Sequence, residues 1–286
     1  MVNNLFLVVC YANDNLDFET LNCFKDYNFS QNDKIIIWNN GPDFLDANSI
    51  RSLEKFHINI ELVNYLKNAS LGGVYNYFLC KDFNRIIFLD NDSKLTSNYF
   101  DSISSIDHIG FPKIISNKQT YPVYPVYSKF SKLRITTITS GIVINKEIIN
   151  ILSSRLTHVF SNDLHIYGID TDFCLKLYKT KLSKLVENMP PISHSLSRLE
   201  SKNNDKFSFL GIERSRELGV NARNHFSLSF MFLLIKFFFF PKSYKYDVTY
   251  NRREMIKSFI SGSNISNSVV NPEFIKIEVI KRYDKN

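Results

Sequence analysis

The sequence predicts an α/β protein with a mostly parallel central sheet flanked by helices. Three observations carry this. Apolar strand-like runs alternate with helix-like stretches through the first half of the chain, the order that gives parallel strands joined by helical crossovers. The run at 85–95, RIIFLDNDSKL, reads as a buried strand that delivers two carboxylates, Asp90 and Asp92, at its carboxyl end. Polar loops at 11–13, 39–43, 68–73 and 90–92 follow the strand-like runs, so such a sheet gathers all four on one rim, where ligands of open α/β sheets bind.

Each element has its own signal. Residues 5–10 read as the first strand; the N-terminus has no basic start and no small-residue cleavage site, which argues against a signal peptide. Helix-like stretches at 16–27, 50–56 and 71–80 then alternate with strand-like runs at 35–38, 58–63 and 86–89. Beyond Asp92 the pattern changes. Residues 109–115 and 134–144 read as strands, separated by a Tyr/Pro-rich segment, YPVYPVYSKF, that suits a loop over the rim. A helix is expected from Asn145, another from Asp170, a short strand at 184–186, and a rigid turn at PPISHSLSR. The polar stretch 201–206 marks the expected end of the main domain, which gives a domain of 1–200, with halves 1–95 and 96–200, and a C-terminal extension of 201–286. The final residues, 273–286, alternate as a terminal strand or an exposed amphipathic tail does.

Composition narrows the function classes. At 286 residues, with 44% hydrophobic and 22% charged, the chain buries a substantial core and is not a disordered protein. A formal net charge of +7 implies an anionic partner: nucleic acid, an acidic membrane surface or a phosphorylated substrate. No compact Lys/Arg run with interleaved aromatics and no zinc-finger spacing is present, which argues against nucleic acid. Cys10, Cys23, Cys80 and Cys174 are scattered without a Cys-x-x-Cys pair, as buried thiols of a reducing cytoplasm are.

Three polar groups are candidates for chemistry. Asp90 and Asp92, one residue apart, suit a hard divalent cation that also takes phosphate oxygens from a ligand, although Asp-x-Asp also occurs in ordinary turns. Asp170 and Asp172 fall in the first turn of a helix, where the dipole favours carboxylates and where capping is an alternative role. His194, in ISHSLS, is either a hydrogen-bonded structural histidine or a further ligand.

Taken together and in order, these segments resemble the inverting GT-A glycosyltransferases of family 2, and within it the rhamnosyltransferase-like enzymes of O-antigen and capsule assembly. The resemblance covers roughly residues 4–240 and rests on VVCYAN, IIIWNNG, NASLGGVYN, LDNDS, DTDFCLK, ISHSLS and ARNHFSLSF. It implies a GT-A (nucleotide-diphospho-sugar transferase) fold and a nucleoside-diphosphate sugar as donor. Tyr11, Asn13, Asn39, Asn40, Gly72, Gly73, Asn76 and Asp90 would then line the donor. Asp90, Asp92 and His194 would hold Mg²⁺ or Mn²⁺. Asp170 matches the family's catalytic base and Asp172 would orient the acceptor or the base. Many relatives carry an Asp at the Trp38 or Asn39 position, so the choice of base is open. The acceptor would be a glycan or a polyprenyl-diphosphate-linked oligosaccharide.

The apolar block at 226–240 is shorter than the roughly 20 residues a spanning helix needs, and Lys236 interrupts it. With Lys242, Lys245, Arg252, Arg253 and Lys257 after it, the block reads as a helix lying on an anionic cytoplasmic membrane surface, or else as a core helix. The expected location is therefore cytoplasmic, peripheral on the inner face of the cell membrane. Two other readings compete: a sugar nucleotidyltransferase, which calls for a Gly-rich phosphate loop that YANDNLDFET lacks, and a non-catalytic carbohydrate-binding protein on the same fold.

Overall fold

The computed structural model describes residues 2–12, 19–46, 58–116, 125–127, 135–195, 204–243, 248–263 and 270–281. Among the described residues, twelve strands follow in chain order: β1 (Val2–Cys10), β2 (Lys34–Asn39), β3 (Asn59–Asn64), β4 (Phe83–Asp90), β5 (Ile109–Ile115), β6 (Val126–Tyr127), β7 (Ile135–Thr136), β8 (Val143–Asn145), β9 (Val186–Ser193), β10 (Lys242–Ser243), β11 (Val248–Thr249) and β12 (Lys276–Lys281). Eight of them form the central sheet in the order β12-β3-β2-β1-β4-β8-β5-β9, and β6 with β7 and β10 with β11 make two small ribbons. β3, β2, β1 and β4 are mutually parallel. β8 is antiparallel to both its neighbours, β9 runs parallel to β5, and β12 closes the far edge antiparallel to β3.

The core lies on both faces of this sheet. Along β1, Leu5, Leu7 and Val9 point to one face, with Trp38, Phe88 and Phe160, while Phe6, Val8 and Cys10 point to the other, with Phe24, Tyr99 and Phe100. A strand buried on both faces has no polar alternation, which is why β1 and β4 read as continuous apolar runs. Helices α2 (Leu71–Leu79), α4 (Lys146–Arg155) and α5 (Ile169–Lys179) cover the first face; α1 (Glu19–Cys23) and α3 (Ser97–Ile103) cover the second. Three further helices, α6 (Asn204–Asn224), α7 (Leu228–Phe239) and α8 (Arg252–Ser261), share a small cluster of Leu218, Ala222, Leu234, Phe237 and Met255.

Several sequence expectations are corrected. The expected strand at 134–144 is two short strands, β7 and β8, separated by a turn in which Gly141 has φ +85° and donates its amide to Phe88 O at 2.7 Å. A hydroxyl-rich run ending in glycine bends there because Thr139 and Ser140 bond across to other segments. The expected short strand at 184–186 is a 3-10 turn, Leu182–Leu185, that leads into β9. The expected rigid turn at PPISHSLSR begins as strand, and residues 196–198 lie outside the described residues; β9 includes Pro190, Pro191, Ile192 and Ser193. It lies at the sheet edge, where a proline ring removes no ladder bond from a further neighbour. Of the helix expected at 16–27, the described part is the short α1 followed by a 3-10 turn, Phe24–Asp26, and α6 begins at Asn204, inside the polar stretch 201–206. Within the alternating tail, Lys276–Lys281 form β12, which pairs with β3 in the central sheet. The helix expected at 50–56 and most of YPVYPVYSKF lie outside the described residues.

Phe160 ties the helices to the sheet, with its ring 4.7 Å from Phe173, 5.0 Å from Tyr75 and 5.2 Å from Phe88, fully buried. Phe160→Ala is expected to lower unfolding stability by about 3–5 kcal/mol, read in urea as a shifted midpoint with an unchanged slope.

Candidate active site

The site begins at the carboxyl end of β4, where Asp90 is the last strand residue. The turn after it is held by buried hydroxyls. Ser93 N donates to Thr20 Oγ1 at 3.0 Å, Thr20 Oγ1 donates to Ser93 O at 3.0 Å, and Asp90 N donates to Ser140 Oγ at 3.0 Å. Lys94 and Ser193 then exchange two backbone hydrogen bonds, 2.8 and 3.0 Å, and His194 N donates to Ile115 O at 3.0 Å. This antiparallel bridge fastens the Asp-x-Asp turn to the end of β9 and sets the imidazole against both carboxylates. His194 Nδ1 lies 3.0 Å from Asp92 Oδ1 and 3.1 Å from Ser93 Oγ; its Nε2 lies 3.6 Å from Asp90 Oδ2.

Asp90, Asp92 and His194 each offer one ligand atom, and these atoms lie within 4.8 Å of one another. Two carboxylate oxygens and one imidazole nitrogen, with no thiolate, suit Mg²⁺ or Mn²⁺ rather than a soft metal. The electrostatics agree with a place built for positive charge. Burial, with the charges of Asp92 and Asp170 adding to it, outweighs the attraction of His194 and pushes the Asp90 carboxyl up to about 6. Burial alone lowers the His194 imidazole, but its hydrogen bond to Asp92 and the charges of Asp90, Asp92 and Asp170 raise it overall. Like charges crowded this closely favour any cation that joins them.

Asp170 faces the same cluster from the first turn of α5. Its N-cap, Gly168, has φ +86°, and a Cβ there would meet Glu217 Cγ at 2.3 Å, so only glycine allows α6 to approach this closely. Thr139 donates to Asp170 Oδ1 from its amide at 3.0 Å and from its hydroxyl. Burial raises the Asp170 carboxyl, the two Thr139 bonds lower it, Glu217 raises it and Arg214 lowers it; the net direction is upward. Asp172, two residues on, points into the interior, where it meets His225 Nε2 at 2.7 Å and Lys176 Nζ at 2.7 Å and is 2% exposed.

The other sequence candidates mostly shape the rim. Buried Asn39 donates to Asn64 Oδ1 and Asp43 O, both at 2.7 Å, and accepts from Gly41 N at 3.0 Å. Buried Asn40 donates to Ala69 O at 2.8 Å and accepts from Ala69 N at 3.0 Å. Their amides are thus engaged within the loops after β2 and β3. Gly72 passes so close to Ser161 O that a Cβ would stand 2.0 Å from it, and Gly73 N donates to the Ser70 cap at 3.1 Å. Asn76 joins α2 to the 160–162 loop by donating to Phe160 O at 2.8 Å and Asn162 Oδ1 at 2.9 Å. Tyr11 stands half-exposed at the end of β1. Asn13 lies outside the described residues.

Sequence reasoning missed Thr20, Thr139, Ser140, Arg214 and Glu217. A turn signal was present at Thr139-Ser140-Gly141, but its hydroxyls reach residues 50 and 31 positions away, at Asp90 and Asp170. Arg214 and Glu217, paired at 2.6 Å, sit in what reads locally as an ordinary charged helix.

No protein-family model matches the sequence, and no curated protein matches it either. Solved structures do. The crystal structure of S. aureus TarS 1-349 matches with a TM-score of 0.54 at 13% identity, covering 92% of this chain and 81% of that one. The same protein in complex with UDP-GlcNAc matches with a TM-score of 0.50 at 13% identity, covering 92% and 82%. A longer TarS chain gives 0.48 at 13% identity, and this chain spans 44% of its length. The likeness and the sheet order together establish a GT-A-like fold.

Asp92→Ala and His194→Ala are each expected to weaken Mn²⁺ binding about 10-fold or more, measured by titration calorimetry, since loss of a mere outer-shell partner of a metal ligand already costs roughly 10–100-fold. Unchanged affinity in both variants would remove the cluster as a cation site.

Proposed function

We propose that the protein is a metal-dependent, inverting glycosyltransferase that moves a sugar from a nucleoside-diphosphate sugar to a hydroxyl of a glycan or lipid-linked acceptor. The observation that carries this reading is the meeting of Asp90, Asp92 and His194 beside Asp170 at the carboxyl edge of the sheet. TarS, a protein of the same fold that has been crystallised with UDP-GlcNAc, supports a nucleotide sugar as donor. The motif resemblance supports the rhamnosyltransferase-like branch and surface polysaccharide assembly as the setting.

The residues divide the work. Asp90, Asp92 and His194 would hold Mg²⁺ or Mn²⁺. A bound ion supplies positive charge to the departing diphosphate, which stabilises that charge by several kcal/mol. Asp170 takes the proton of the acceptor hydroxyl as the new bond forms, a role worth roughly 10²–10⁴-fold. Its raised carboxyl moves towards the range in which a base is both available and strong enough, and Thr139 keeps it aimed. Asp172, through His225 and Lys176, braces the turn that carries Asp170. The loops braced by Asn39, Asn40 and Asn76, with Gly72 and Gly73, form the donor side, and Tyr11 offers its ring to the base. With no protein nucleophile in the scheme, a single displacement inverts the anomeric carbon.

Nucleoside-diphosphate release from a panel of nucleotide sugars tests the proposal. Asp170→Asn is expected to lose about 10²–10⁴-fold in kcat, and Asp92→Ala to lose turnover with its remaining activity displaced to higher Mn²⁺. Wild-type turnover in Asp170→Asn would overturn the assignment of the base. A pH profile gives a second check. Asp170 must be deprotonated to act, so activity is present above its pKa and lost as pH falls through it. Thr139→Val removes a bond that lowers that pKa, so the acidic limb is expected to move to higher pH.

A further inference from the structure

α7 is turned the opposite way from an ordinary surface helix. It packs inward through Leu234 and Phe237 onto the cluster with Leu218, Ala222 and Met255. Its outward stripe, Leu228, Phe232, Ile235 and Phe239, recurs at helical spacing and is 85, 67, 55 and 63% exposed. A helix at the surface of a globular domain ordinarily carries charged or polar residues on that face. Phe226 and Phe240 extend the exposed apolar surface past both ends of the helix, and α8 adds Ile256 and Ile260. Between the two helices, Phe238, Arg252, Arg253, Ile256, Lys257 and Ile260 line an open groove of about 640 Å³.

The charge on this face has one sign. Lys236, Arg252, Arg253 and Lys257 are exposed, whereas Glu254, the one acidic residue of the two helices, is held by Arg216 at 2.8 Å. Contiguous exposed apolar surface on this scale marks an interaction site. A second copy of the chain would set these cations against one another. Among the described residues, no helix is long and apolar enough to cross a membrane.

We propose that the α7–α8 face docks on a lipid bilayer carrying anionic headgroups. The Leu228-Phe232-Ile235-Phe239 stripe enters the boundary between headgroups and acyl chains, and Arg252, Arg253 and Lys257 meet the phosphates. α7 follows directly on α6, which carries Arg214 and Glu217 towards Asp170 and ends beside His225, the partner of Asp172. Docking therefore holds the candidate site at a set height over the membrane.

Co-sedimentation of the full chain with phosphatidylcholine vesicles, with and without phosphatidylglycerol, tests this. Partition is expected to be about tenfold or more higher on the phosphatidylglycerol vesicles at low salt, and to fall as salt screens the headgroups. The Phe232→Ser/Phe239→Ser double variant is expected to lose binding, and Arg252→Ser/Arg253→Ser/Lys257→Ser to lose the preference for phosphatidylglycerol, both with thermal unfolding unchanged. Leu228→Ser, at the most exposed position, repeats the first test with a single substitution. Equal partition to both vesicle types, partition to neither, or a dimer in light scattering that the Phe232→Ser/Phe239→Ser variant dissociates would overturn the proposal; the last outcome would make a second copy the occupant.

Discussion

The site depends on one bridge: the pair of backbone hydrogen bonds between Lys94 and Ser193. It joins the turn after β4 to the end of β9, two segments about a hundred residues apart, and so brings an imidazole onto two carboxylates that would otherwise face water. Three negative groups, Asp90, Asp92 and Asp170, then share a partly buried corner. That arrangement is unfavourable without compensating positive charge. Buried hydroxyls of Thr20, Ser93, Thr139 and Ser140 hold it in place, because their bonds run to backbone groups as well as to the acids. Local rules broken at one place and supported from all sides around it are what a working site looks like.

The sheet explains where that corner lies. The parallel half, β3-β2-β1-β4, ends all its strands on one edge and so presents the loops after β1, β2, β3 and β4 together. The mixed half, β8-β5-β9, brings the Thr139-Ser140 turn and His194 up to the same edge from the other side. α5 completes it with Asp170. The loops of the parallel half and the turn that carries Asp170 thus come from different parts of the chain and meet at the end of β4.

The C-terminal helices are not a loose appendage. α6 sends Arg214 and Glu217 to the neighbourhood of Asp170 and ends beside the Asp172–His225 pair, while β12 rejoins the sheet beside β3. Arg216 reaches both Glu213 and Glu254, locking α6 to α8. The apolar face of α7 is therefore rigidly related to the candidate site through packed helices and ion pairs.

The amino-acid sequence alone determined the α/β class, the parallel core and the Asp90, Asp92 and Asp170 candidates, because those features are written in short-range patterns: runs of buried strand residues and carboxylates at a strand end or a helix start. It did not reveal the bend at Thr139-Ser140-Gly141, the strand through Pro190 and Pro191, or the parts played by Arg214, Glu217 and His225. Each of those depends on a neighbour far away in the chain. A proline pair is tolerated in β9 only because that strand is an edge, and edges are assigned by topology. Likewise α7 is apolar in sequence except at Ser229 and Lys236, and only tertiary packing decided which apolar stripe was buried and which was left facing outward.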